Sequence, residues 1–294
     1  MQKILAVLAM CFIVFGGFMM MGGQVMQIIK VVDIFIIFGA GITAMVISTE
    51  FSTIKLGLTQ IKWAFSKGIH TQEYYEQLLS VIFELINVAK TQNIKALDQH
   101  VENPEESSIF ERYPLIVADE STKNFIIDSF RLVIASKANA ETSGNLATEL
   151  EAEIDELSKQ YLKPSEKFAA MGDSLPGIGI LCAIMALVLV MGKLDADIYI
   201  IGSSIAGALV GTLTGIVGCY CIVLPIAGAA ETEAKKQIQP LLVVRSSILQ
   251  YVRGVSPHIS VNAGRKHVPI KFKPTFTELE ERVKALTEIQ TQSL

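Results

Sequence analysis

SLPGIGILCAIMALVLVMG, residues 174–192, runs for nineteen residues without a charged side chain, between Asp173 and Lys193. As a helix it crosses a bilayer core of roughly 30 Å, so this stretch predicts a membrane span. Working outward, three more windows lack Asp, Glu, Lys and Arg altogether: 4–29, 34–49 and 198–230. The window at 34–49 is short and draws on Val31 and Val32, whereas 198–230 exceeds the roughly 20 residues a span needs and must tilt or protrude. The whole chain of 294 residues is 51% apolar and 18% charged, with mean hydropathy +0.45. Soluble domains carry about 25% charged residues, so the composition excludes a purely soluble enzyme. A net charge of −4 excludes a globally basic nucleic-acid binder.

The first window competes with a signal peptide, but Phe15, Phe18 and the adjacent Met run stand where a small-residue cleavage site would lie, which favours a retained span. Lysine and arginine then set the orientation. The segment 50–173 holds 12 of them and the tail from 231 holds 10, against Lys30 and Lys193 alone in the two short connections. Lys55, Lys62 and Lys67, Lys159, Lys163 and Lys167, and Lys235 and Lys236 flank the span ends, so both large segments and both termini are expected on the cytoplasmic side. The resulting fold class is all-α, a polytopic membrane protein with four transmembrane helices and a helical cytoplasmic domain. Its parts are residues 1–49 with spans one and two, 50–173 with an interfacial helix and the cytoplasmic domain, 174–230 with spans three and four, and 231–294 as a helical cytoplasmic tail.

Outside the spans the periodicity is helical. In STIKLGLTQIKWAFSKG (52–68), Ile54, Leu58, Ile61 and Phe65 recur at helical spacing, giving an amphipathic helix at the inner membrane surface with Trp63 as an anchor. One helix is expected from Thr71 to about His100, stopped by Asn103-Pro104, and a second from near Thr122. Leu146, Leu150, Ile154, Leu157 and Tyr161 form the apolar seam of a third. The segment 50–173 carries 20 acidic residues against 12 basic, so a basic protein is the expected partner for that face. The tail extends span four through Ser246 to Tyr251, bent at Pro240, and closes with a short helix in TFTELEERVKAL capped by a Thr.

No Walker lysine loop, GxGxxG, HExxH or GxSxG occurs, so no enzyme is read from the chain. No cofactor or metal site is expected either: Cys11, Cys182, Cys219 and Cys221 sit in the apolar windows with neither CxxC spacing nor a nearby His. No span carries an ionisable residue at its middle, so an ion crossing here needs a carboxylate from another polypeptide. Ser203, Gly207, Gly211 and Gly215 follow at four-residue steps, with Thr212 alongside, a pattern that serves close helix packing or a functional lining. Pro176 and Pro225 are punctuation that kinks or terminates a helix near the membrane surface.

The order of elements, together with FGAGI (38–42), VENPEESSIFERYP (101–114), GDSLPGIGI (172–180), GRKH (264–267) and PTFTELEE (274–281), resembles the MotA family of bacterial flagellar stator subunits, in the MotA/TolQ/ExbB superfamily. The resemblance covers the whole chain. It implies a homo-oligomer of five copies around two MotB chains, each MotB with a single span whose Asp binds the ion, and a cytoplasmic domain that pushes on the rotor protein FliG. By position Lys90 and Asp98 match the charged pair that meets FliG, where the family often has Arg and Glu. Pro176 and Pro225 match the prolines that couple ion flow to torque, and Thr212 a threonine facing the ion path. Sodium-driven relatives carry hydroxyl side chains where this chain has Ala183 and Gly211; a dehydrating sodium ion needs oxygen ligands, which favours protons here. Two alternatives stand beside this. An ExbB/TolQ-like energiser of envelope transport is disfavoured by the four-span, N-inside topology, and a membrane scaffold without ion flux fits the composition equally well.

Overall fold

The computed structural model describes residues 2–66, 68–92, 94–136, 143–192 and 198–292; Lys67 and Lys193, used above to orient the chain, lie outside them. Every regular element among the described residues is helical. The chain divides into two compact units, residues 1–67 with 160–234, and 68–159 with 235–294. The expected boundary at 173 falls inside a continuous helix.

The first unit contains α1 (Gln2–Met20), the single turn α2 (Val25–Ile28), α3 (Val31–Ile47) and α4 (Phe51–Phe65). It also takes the C-terminal part of α9 (Ser143–Met191), α10 (Ile198–Val217), a π-helical segment (Gly218–Val223) and the start of α11 (Leu224–Val252). Two helical stretches, Gly144–Met191 and Ile198–Val252, are long and apolar enough to cross a membrane; Leu5–Met20 and Val31–Ile47 are apolar but shorter. The 17 residues of α3 measure about 25 Å, short of a bilayer core of roughly 30 Å. The core of this unit is Ile37, Met45, Met171, Leu175, Cys182, Cys219 and Val223.

The second unit packs α5 (Gln72–Thr91), α6 (Ile94–Glu102), α7 (Pro114–Ala118), α8 (Glu120–Ala135), the N-terminal part of α9, the rest of α11, α12 (Pro257–Arg265) and α13 (Phe276–Gln292). Its centre is α5, from which Tyr74, Tyr75, Leu78, Leu79, Ile82, Phe83, Leu85 and Ile86 are buried. The seam Leu146, Leu150 and Ile154 is buried here, as its spacing predicts.

Three details differ from the sequence reading. The single helix expected from Thr71 to His100 is two, because α5 ends in Thr91-Gln92, where Thr91 Oγ1 turns back to the Asn87 carbonyl at 2.7 Å. The third cytoplasmic helix and span three are one helix, α9, which continues through Pro164 and Pro176; each proline removes one backbone donor without ending the helix. Pro225 likewise does not terminate its helix. A π turn precedes it, in which the Leu224 N–H reaches the Cys219 carbonyl, so the helix is rewound around the missing proline donor and goes on through Pro240 to Val252. The tail helix begins as expected: Thr275 Oγ1 accepts from Glu278 N at 3.2 Å, and Glu278 Oε2 accepts from Thr275 N at 2.7 Å.

Candidate functional site: a backbone-tight seam in the membrane unit

The seam between α9 and α10 is set by glycines. A Cβ at Gly179 would lie 2.9 Å from the Gly211 carbonyl oxygen and 3.3 Å from Thr212 Cα, and one at Gly215 would lie 2.6 Å from the Leu175 carbonyl oxygen. The two backbones therefore touch, which only residues without a side chain permit. Leu175, fully buried, fills the space beside the contact: Gly41 of α3 and Gly218 of the π turn both close on its methyl groups. A Cβ at Gly211 would lie 3.4 Å from Cys182 Cβ and 3.5 Å from the Ala183 amide nitrogen.

The residues singled out from sequence are placed as follows. Gly211 and Gly215 are buried in the seam, and Thr212 and Ala183 are half-buried beside it. Gly207 is covered by the end of the Lys30 side chain, and Ser203 is exposed with its hydroxyl donating to the Ile200 carbonyl at 3.0 Å. The four-residue stripe thus divides, its C-terminal half meeting α9 and its N-terminal half not. Pro176 is half-buried within α9, and Pro225 is exposed just after the π turn.

Two charged residues were missed. By sequence Lys30 and Asp33 flank span two, but the structure sets Lys30 against Gly207, midway along α10, and puts the Cys182 thiol, midway along the apolar stretch 174–192 of α9, 3.7 Å from Asp33 Oδ1. A charge that bounds one window can stand beside the centre of another when helices are offset, and sequence carries no signal of offset. Gly179 and Leu175, the partners of the stripe, were quoted only inside a string.

In the second unit Lys90 lies in the last turn of α5 and Asp98 within α6; both are exposed, and neither forms an ion pair with another described residue. The string 101–114 is built beneath them. Fully buried Glu84 receives Tyr113 Oη at 2.5 Å and the Arg112 guanidinium, and Ser107 Oγ meets His100 Nδ1 at 2.8 Å. Burial, then the Glu84 charge, push the Tyr113 hydroxyl pKa well up. Burial, then Arg112, lower His100. At the start of α8, Asp119 accepts from Tyr74 Oη at 2.6 Å and Thr122 Oγ1 at 2.7 Å. Its own burial acts to raise its carboxyl, but His70, Tyr74 and Thr122 outweigh that and hold it below the usual range.

Comparison with known proteins agrees with this architecture. Residues 4–93 match the motility protein A N-terminal family, and residues 118–241 match the MotA/TolQ/ExbB proton channel family. The chemotaxis protein LafT of Vibrio parahaemolyticus is 34% identical over 96% of this chain and 98% of its own length. Motility protein A of Escherichia coli is 32% identical, covering 95% and 94%. Among solved structures, that of C. jejuni MotAB superposes with a TM-score of 0.70 at 18% identity, over 92% of this chain and 96% of that one. The flagellar MotAB stator complex from Bacillus subtilis gives 0.67, also at 18%, over 91% and 96%. A membrane unit of apolar helices locked through glycine contacts, together with the family match, places the chain among proton-channel subunits. Within that class, the chain belongs to the motility protein A family of flagellar stator subunits.

Proposed function

We propose that this chain is the channel-wall and torque-transmitting subunit of a proton-driven flagellar stator. The observation that carries the reading is the α9–α10 seam: two apolar helices locked backbone to backbone through Gly179, Gly211 and Gly215, with Ala183 and Thr212 beside them. Such a wall guides an ion only if a second chain brings the binding group, so the partner is a MotB-type single-span subunit whose Asp takes the proton. The chain crosses the inner membrane four times with both termini in the cytoplasm, as the lysines beside the span ends favour, and five copies close a ring around the partner.

Ala183 and Gly211 offer no hydroxyl at the level of the seam, which supports protons over sodium. Pro176 and Pro225 weaken the backbone ladder at the inner ends of spans three and four, where protonation of the partner can shift the helices. The π turn before Pro225 supports that role. Lys90 and Asp98, exposed on α5 and α6, contact the rotor protein FliG; Lys lacks the bidentate fork of Arg, so this contact is weaker than in relatives with Arg. Deleting the chain leaves flagella assembled but paralysed, and motile deletion cells would end the reading.

A further inference from the structure

Helix α4 has an arrangement of faces that its packing leaves unexplained. Its buried arc is small and polar, Thr53, Gly57, Gln60 and Ala64, and this arc is used up against α9. A Cβ at Gly57 would lie 2.5 Å from the Phe168 ring and 2.9 Å from Pro164 Cβ, and Gln60 Nε2 donates to the Tyr161 carbonyl at 2.9 Å. At about 100° per residue, the rest of the circumference follows a fixed order. Next to the packed arc on one side come Ile54, Leu58 and Phe51, with Leu58 57% and Phe51 81% exposed; then Lys62 and Lys55 on one line; then Thr59 and Ser52; then Trp63 and Leu56, which close the circle on the other side. The lysine line borders an exposed apolar strip, as on a helix at a bilayer boundary that meets acyl chain beside phosphate. The two lysines stand seven residues apart, about 10 Å along the axis. No carboxylate among the described residues pairs with either one, whereas Lys163 lies 4.0 Å from Glu50. Only three residues, 48–50, separate α4 from the apolar α3, so α4 leaves the span at the membrane surface.

We propose that α4 is a docking surface for anionic phospholipid of the cytoplasmic leaflet, with Lys55 and Lys62 as ligands of the headgroup phosphates and Ile54, Leu58 and Phe51 against the acyl chains. The proposal rests on the inside orientation of α4 argued above. An anionic surface favours each nearby lysine by about fivefold in affinity, so neutralising both lowers it roughly thirtyfold.

The test uses the full chain purified with its single-span partner in vesicles of phosphatidylcholine alone or with a quarter phosphatidylglycerol, and retained lipid is counted by native mass spectrometry. Wild type is expected to retain phosphatidylglycerol over phosphatidylcholine, Lys55→Gln/Lys62→Gln to lose that preference by roughly thirtyfold, and Lys55→Arg/Lys62→Arg to keep it. Equal retention of both lipids by wild type overturns the proposal, and so does undiminished preference in the Gln variant. Should the Gln variant fail to assemble, the wild-type and Arg measurements decide. Orientation is read separately by labelling Thr59→Cys with an impermeant maleimide in sealed inverted vesicles. Protection there refutes the inside placement, whatever the lipid preference.

Discussion

Adding a single methyl group at Gly215 is the sharpest perturbation of the seam. The new Cβ would lie 2.6 Å from the Leu175 carbonyl oxygen and 3.1 Å from Gly179 Cα. Both neighbours are backbone, so neither can swing aside, and α9 and α10 must part by most of an ångström. That also opens the Gly179–Gly211 contact and strips packing from Leu175. Overpacking of this kind costs about 1–3 kcal/mol. For a chain of this size each kcal/mol lowers the melting temperature by about 2–4 °C, so Gly215→Ala should melt several degrees below wild type when the purified complex is followed by intrinsic fluorescence. Swimming in soft agar should fall with it. Gly177→Ala and Gly228→Ala add the same methyl where nothing lies within 4 Å, and both should match wild type. A Gly215→Ala complex as stable and as motile as wild type would refute backbone contact between these helices.

Other outcomes follow from the second unit. Lys90→Glu and Asp98→Lys should each reduce swimming while the membrane level of the complex, read by immunoblot, stays unchanged, because both side chains are exposed; a loss of complex would make them structural. Glu84→Ala strands the buried Tyr113 hydroxyl and should cost about 1–3 kcal/mol in thermal unfolding, whereas Glu84→Ala/Tyr113→Phe, which removes the donor as well, should cost less. Asp119 is held below its ordinary carboxyl pKa of 3.8 in the folded chain. Its contribution to stability is therefore complete above that value and is lost as pH falls through the lower folded one. Asp119→Asn should be less stable at neutral pH and flatter on the acid limb below about pH 4, and parallel acid limbs would contradict the assignment.

Much of the membrane unit is legible from composition because hydrocarbon excludes charge: the four uncharged windows coincide with α1, α3, the end of α9, and α10 with the start of α11. Periodicity likewise yields the buried seam of Leu146, Leu150 and Ile154 and the Thr275 capping box. What sequence cannot show is which helix meets which. Gly179 has no side chain to enter any pattern, so its contact with Gly211 and Thr212 is invisible until the helices are packed. Lys30 and Asp33 mark the edge of one window and gave no sign of the offset that sets them beside Gly207 and Cys182. The apolar stripe of α4 was legible as a face, but the face it packs on α9 is the small polar one, which hydrophobic periodicity does not weigh. Pro176 and Pro225 read as kinks or stops, yet both helices continue, the second after a π turn.

The account stands or falls on what drives rotation. In cells whose only stator is this chain with its MotB-type partner, tethered by one flagellum, rotation speed should collapse on adding a protonophore at constant sodium and should be unaffected when sodium is replaced by potassium. Rotation that persists under the protonophore and tracks the sodium gradient would contradict the proton wall assigned to Ala183, Gly211 and Thr212.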